Sequence, residues 1–92
     1  MKTMQNIKDD FYMTDYHTGG GCMALFCELN TLQDYILVTA EDAQIPTDDD
    51  TQFYIGLYLH DGDGTPAHMF ETTNIDHLYM LIESIGHLWG NA

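Results

Sequence analysis

From Phe11 onward, apolar and polar residues alternate with a period of two, and near the end the period lengthens to that of a helix. A period of two sends successive side chains to opposite faces of a strand, while a period of about 3.6 lays them along one stripe of a helix. Residues 11–16 (FYMTDY) set Phe11 and Met13 on one face and Tyr12, Thr14 and Tyr16 on the other. Residues 22–29 (CMALFCEL) set Met23, Leu25, Cys27 and Leu29 against Cys22, Ala24, Phe26 and Glu28. Residues 35–40 (YILVTA) are rich in β-branched side chains, which suit a pleated surface. The clearest strand is 52–59 (QFYIGLYL), with Phe53, Ile55, Leu57 and Leu59 toward a core and Tyr54, Gly56 and Tyr58 away from it. A short fifth strand is expected over 66–70 (PAHMF).

The segments between these strands read as connections. HTGGG predicts a turn or bulge in which glycines take positive φ. The stretch EDAQIPTDDD is a long polar loop, and long loops are more often functional or mobile than short ones. HDGDG predicts a tight hairpin turn, because Asp-Gly pairs favour positive φ.

The final segment, Ile75 to Trp89, predicts a helix. Thr73 or Asn74 can cap it, Asp76 suits the positive end of the macrodipole, and Gly90 suits the exit. Ile75, Leu78, Ile82, Ile85 and Trp89, with Leu81 and Leu88, form its apolar stripe. Met1, Met4, Ile7 and Phe11 have helical spacing too, in a segment equally readable as a frayed lead-in.

These elements predict an α+β fold. Residues 1–92 form a single domain, an antiparallel meander of about five strands with one C-terminal helix packed on one face. The second face would carry Tyr12, Tyr16, Phe26, Tyr35 and Tyr58, too aromatic a set to be merely solvated. Three covers are open: the N-terminal segment, a second copy of the chain, or a binding partner.

Charge narrows the partner. Fifteen carboxylates face two lysines and no arginine, for a formal net charge of −13. The lysines are Lys2 and Lys8, so no fixed positive charge follows Asp9. Acidic surfaces keep proteins soluble, but carboxylates without internal partners also repel one another and oppose compaction. Nucleic acid and anionic membranes are excluded as direct partners, because phosphate binding needs arginine and lysine. No apolar run is long enough to cross a bilayer, and MKTMQNIKDDF lacks the apolar core of a secretory signal. The expected location is cytoplasmic. There the free thiols of Cys22 and Cys27 are expected to stay reduced, on opposite faces of their strand.

Candidate chemistry is sparse. Counting a calcium loop from Asp61 puts Pro66 where glycine is required and Thr72 where glutamate is required. His60 and His68 could approach across a hairpin, but no HxxxH, HExxH or CxxC spacing occurs, and no metal or cofactor is expected. In HTGGGC, His17 precedes Cys22 by five residues, the makings of a small cysteine-dependent enzyme. A thiolate nucleophile needs a cationic neighbour or a helix N-terminus, and neither is expected beside Cys22. The chain is read as a non-enzyme.

The carboxylates cluster at Asp9, Asp10 and Asp15, at Glu41 and Asp42, at Asp48, Asp49 and Asp50, and at Asp61 and Asp63. Alternate residues on a strand lie about 6.6 Å apart, comparable to phosphate spacing along a nucleic-acid backbone. In length, charge and scarcity of basic residues, the whole chain resembles small phage-encoded inhibitors of bacterial defence, namely anti-CRISPR proteins and DNA-mimic inhibitors of restriction enzymes. The resemblance is compositional and rests on no shared motif. It implies an inhibitor, working in the host cell cytoplasm if phage-encoded, that occupies the basic nucleic-acid-binding surface of a defence complex or another nucleic-acid-handling protein. The expected contacts are Glu41, Asp42, Asp48, Asp49, Asp50, Asp61 and Asp63, with Tyr54 and Tyr58 as anchors. The alternatives are an assembly protein homodimerising through its tyrosine face, and the enzyme using Cys22 and His17.

Overall fold

The computed structural model describes residues 1–90. The chain runs α1 (Met4–Asp10), β1 (Thr14–Gly19), β2 (Cys22–Glu28), β3 (Tyr35–Ala40), β4 (Phe53–Tyr58), β5 (His68–Thr72) and α2 (Ile75–Trp89). The strands form one antiparallel sheet in the order β1-β2-β3-β4-β5. This is the expected α+β meander, with a short N-terminal helix added.

The register explains the core. Leu25, Val38, Ile55 and Phe70 line up across β2 to β5, and Cys27, Ile36, Leu57 and His68 form the next row on the same face. Leu25, Ile36, Val38, Phe53, Ile55 and Leu57 are fully buried there beneath Leu78, Ile82 and Ile85 of α2. The helix begins where Asn74, in extended conformation, accepts the His77 N–H on its side chain. Such a cap is worth about 1 kcal/mol. Leu88, expected in the buried stripe, is 75% exposed, because it sits about 100° round the helix from Trp89, which packs against the core.

α1 also packs on this face. Seven residues make a marginal helix on their own. Thr3 and Asn6 close a reciprocal capping box, and Met4 and Ile7 insert into the core. The Asp48 carboxylate accepts the Met4 N–H at 2.6 Å, and Asp76 at the start of α2 accepts the Lys2 N–H at 2.5 Å. The Lys2 ammonium lies 4.1 Å from the centre of the Tyr79 ring, whose hydroxyl donates to Asp10. Both helices therefore lie on one side, and the slab is only 19 Å thick. Since packed layers are spaced by about 10 Å, that thickness holds one sheet and one layer of helices.

Two strands differ from their expected bounds. The first strand starts at Thr14 rather than Phe11, because Phe11 caps α1 and Tyr12 turns the chain with φ 53°. Tyr12 is 88% exposed at that corner and does not join the sheet face. The fifth strand is shifted to His68–Thr72, so β4 and β5 are joined by a wide loop rather than a tight turn. The glycine turn behaves as predicted: Gly19, Gly20 and Gly21 all have positive φ, and the register shifts between His17 and Gly19.

Candidate functional site

The face that neither helix covers carries an aromatic ladder. Tyr16, Phe26, Tyr35 and Tyr58 come from β1, β2, β3 and β4 in turn, with successive ring centroids 5.4, 5.2 and 5.0 Å apart. Tyr35 and Tyr58 are direct cross-strand partners, while the two preceding steps are diagonal, since Tyr16 faces Ala24 and Phe26 faces Leu37. Direct and diagonal neighbours are the pairs through which aromatic side chains meet on a sheet. The outer planes are nearly parallel, at 18° for Tyr16 and Phe26 and 4° for Tyr35 and Tyr58.

Two sequence features make the ladder possible. The period of two puts every ring on the same face. Gly56, between Tyr54 and Tyr58 on that face, leaves the space into which the last ring leans. A methyl group at Gly56 would sit 2.9 Å from Tyr58 Cε1 and 3.3 Å from Met69 Sδ. The surface is half-buried at Phe26, Tyr35, Leu37, Tyr54 and Tyr58, and more open at Tyr16 and Met69. Tyr16, His17, Thr18, Tyr35, Leu37 and Tyr58, with Gly64 from the β4–β5 loop, line a shallow depression of about 310 Å³. Desolvation, then the neighbouring Tyr16 and Tyr58, push the Tyr35 hydroxyl above its usual pKa. The phenols of the face make no hydrogen bond among the described residues and remain open to solvent.

The nine expected contact residues do not form one patch. Glu41, Asp42, Asp48, Asp49 and Asp50 lie on the β3–β4 loop, at the end of the sheet where α2 begins. Asp61 and Asp63 lie on the β4–β5 loop at the opposite end. Of the two expected anchors, Tyr58 is in the ladder, and Tyr54 sits on the same face between Thr39 and Glu71. Several of the acids are occupied by the fold itself. Asp48 holds the start of α1, Asp50 accepts the Thr47 N–H, Asp42 the Gln44 N–H, and Asp63 the Thr65 N–H and hydroxyl. The β3–β4 loop is accordingly anchored: Pro46 is buried, Met23 donates to the Ala43 carbonyl, and Gln44 donates to the Gly21 carbonyl.

A second polar cluster escaped sequence reasoning. Asp34, in the β2–β3 loop, is 4% exposed, and its Oδ1 accepts the His60 N–H at 2.8 Å and pairs with the ring Nδ1 at 2.7 Å. Asn30 donates to its other oxygen and to the Trp89 carbonyl, tying two loops to the end of α2. Hydrogen bonds from Asn30 and then His60 hold Asp34 at a pKa of about 2, and the Asp34 bond raises that of His60. The cluster is a clip for the sheet end.

Both cysteines are unpaired. Cys27 lies against the core, where burial and then Glu28 push its thiol up, and its sulfur contacts the Phe11 carbonyl at 3.4 Å. Across β1 and β2, His17 faces Met23 while Cys22 faces Gly19, and no hydrogen bond joins the imidazole to the thiol among the described residues. Among these residues no group of three or more His, Cys, Asp or Glu is arranged to hold a metal ion, and no helix is long and apolar enough to cross a membrane.

Comparison with protein-family models, curated proteins and solved structures gives no match to this chain.

Proposed function

We propose that the chain is a non-enzymatic acidic binding protein that inhibits a nucleic-acid-handling protein or ribonucleoprotein complex by occupying its basic surface. One observation carries this reading. The uncovered sheet face has acids on its margin, Glu28 beside Tyr35 and Glu71 beside Tyr54, and no lysine or arginine anywhere on it. Both lysines belong to the opposite side, on and before α1, where Lys2 is already engaged with Tyr79. An aromatic surface in a negative field suits a cationic partner and repels a polyanion. In the cytoplasm of a host cell, an inhibitor of this kind would compete with DNA or RNA for a basic groove.

The test is competition. The immobilised chain is used to capture proteins from cells that carry it, the bound protein is identified, and duplex DNA or RNA is then added. Release by nucleic acid, and capture that weakens steeply with salt, are the expected results. Capture unchanged between low and high salt would count against the reading.

The bare ladder also favours a second reading, a homodimer that buries this face. Solution mass measured over a range of concentrations separates the two. A tight dimer with the ladder buried and no affinity for basic proteins supports the assembly role.

A further inference from the structure

We propose that the aromatic ladder is a docking track for an extended, arginine-containing segment of the partner, and that it selects arginine over lysine. This deepens the inhibitor reading and rests on it. Three features of the face point to that occupant. The first is charge: Glu28 and Glu71 sit on the margin, the loop carrying Asp61 and Asp63 reaches the depression at Gly64, and the face holds no lysine or arginine, His17 at the rim being its one basic side chain among the described residues. A second copy would bring a second set of the same acids to the interface, with no lysine or arginine on either face to relieve them. A cationic chain meets no such conflict.

The second feature is chemistry. A guanidinium is planar and weakly hydrated, stacks on aromatic rings, and donates in several directions, whereas an ammonium is a compact and strongly hydrated point charge. The ladder offers flat rings together with the free phenol oxygens of Tyr16, Tyr35 and Tyr58, which accept such donors. Met69 and Leu37 provide apolar surface for the arginine methylenes.

The third is shape. Four rings on four adjacent strands span three strand spacings, about 14 Å. An extended chain covers that length with roughly four residues, so arginine at every second position brings two guanidinium groups over the four rings.

The experiment uses the full chain and two synthetic peptides of equal length and charge, one alternating arginine with serine and the other lysine with serine. Affinity is measured by calorimetry at two salt concentrations, and the contact is mapped by amide and ring chemical shifts. The arginine peptide is expected to bind about fivefold more tightly, corresponding to one or two exposed cation–π contacts. Its largest shifts are expected at Tyr16, Phe26, Tyr35 and Tyr58. A Tyr35→Leu/Tyr58→Leu variant should bind both peptides alike, with the lysine peptide's affinity unchanged. The wild-type shift map stands independently of whether that variant folds. Equal, salt-sensitive affinities for the two peptides would overturn the track while leaving the charge-driven reading in place. No binding of either peptide would remove both. Concentration-dependent dimerisation that buries the ladder would assign the face to a second copy and overturn the track as well.

Discussion

Asp34 and His60 lie 26 residues apart in the chain, yet one carboxylate oxygen of Asp34 accepts the His60 N–H and pairs with the His60 ring nitrogen. The two groups titrate in opposite senses. The carboxyl group, held at about 2, contributes stability above the pKa of an unfolded aspartate, and this is lost as pH falls toward the folded value. The imidazole, with its pKa raised, contributes stability below the pKa of unfolded histidine, and this is lost as pH rises through the folded value. The pair therefore stabilises the fold most between about pH 4 and pH 6.5. Urea midpoints measured from pH 2 to pH 9 should fall on both sides of that window. In Asp34→Asn, which cannot carry the charge, both limbs should flatten relative to wild type.

Gly56 decides where the last ring of the ladder lies. Because a methyl group there would meet Tyr58 at 2.9 Å, Gly56→Ala must displace the Tyr58 ring, the Met69 side chain, or both. Overpacking of this kind costs about 1–3 kcal/mol. The expected signature is local: the ring resonances of Tyr35 and Tyr58 should shift as their parallel stacking is lost, while those of Tyr16 and Phe26 hold. Uniform shifts through the sheet would place the strain in the backbone instead.

A linear pattern reveals part of this fold and hides the rest. The helix at Ile75–Trp89 matched its expected bounds, because a cap, a first-turn acid and a long apolar stripe agree there. The two faces of β2 and β4 followed from strict alternation, and the Gly19–Gly21 turn followed from the chemistry of glycine. Met13 and Phe11 misled, since a helix exit and a strand entry both place apolar residues near one another. The short α1 depends on bonds from Asp48 and Asp76, which no local pattern records. The Asp34 clip was hidden for the same reason: its partners are distant in sequence and meet only once the sheet closes. Separation of the acids was legible in principle. In a meander, successive loops fall at opposite ends, so Asp48–Asp50 and Asp61–Asp63 could not share one patch.

Asp48 has a structural duty that its neighbour lacks. It accepts the Met4 N–H, whereas Asp49 makes no hydrogen bond to the chain among the described residues. Asp48→Ala should cost about 1 kcal/mol, the usual worth of one such bond, and should free α1 before the rest of the fold opens. Hydrogen exchange gives the readout: the Met4–Asp10 amides should exchange faster while those of β3 and β4 are unchanged. Asp49→Ala should leave stability within about 0.5 kcal/mol of wild type.

The two acidic loops should act on a basic partner independently. A strand of six residues spans about 20 Å, more than two screening lengths at physiological salt, so neither loop feels much of the other's field. Reversing exposed charges changes mainly the association rate, and the change is largest for charges near the contact. If the partner docks on the ladder, Asp61→Lys/Asp63→Lys should slow association more than Asp42→Lys/Asp49→Lys, because the β4–β5 loop borders the depression beside Tyr58. Asp48 is left intact because it holds the start of α1, whereas the Asp42 and Asp63 bonds close only local turns of exposed loops. Stopped-flow rates at two ionic strengths measure the difference, which should narrow as salt rises. A larger loss from the β3–β4 loop pair would move the contact to the end of the sheet where α2 begins, away from the tyrosines.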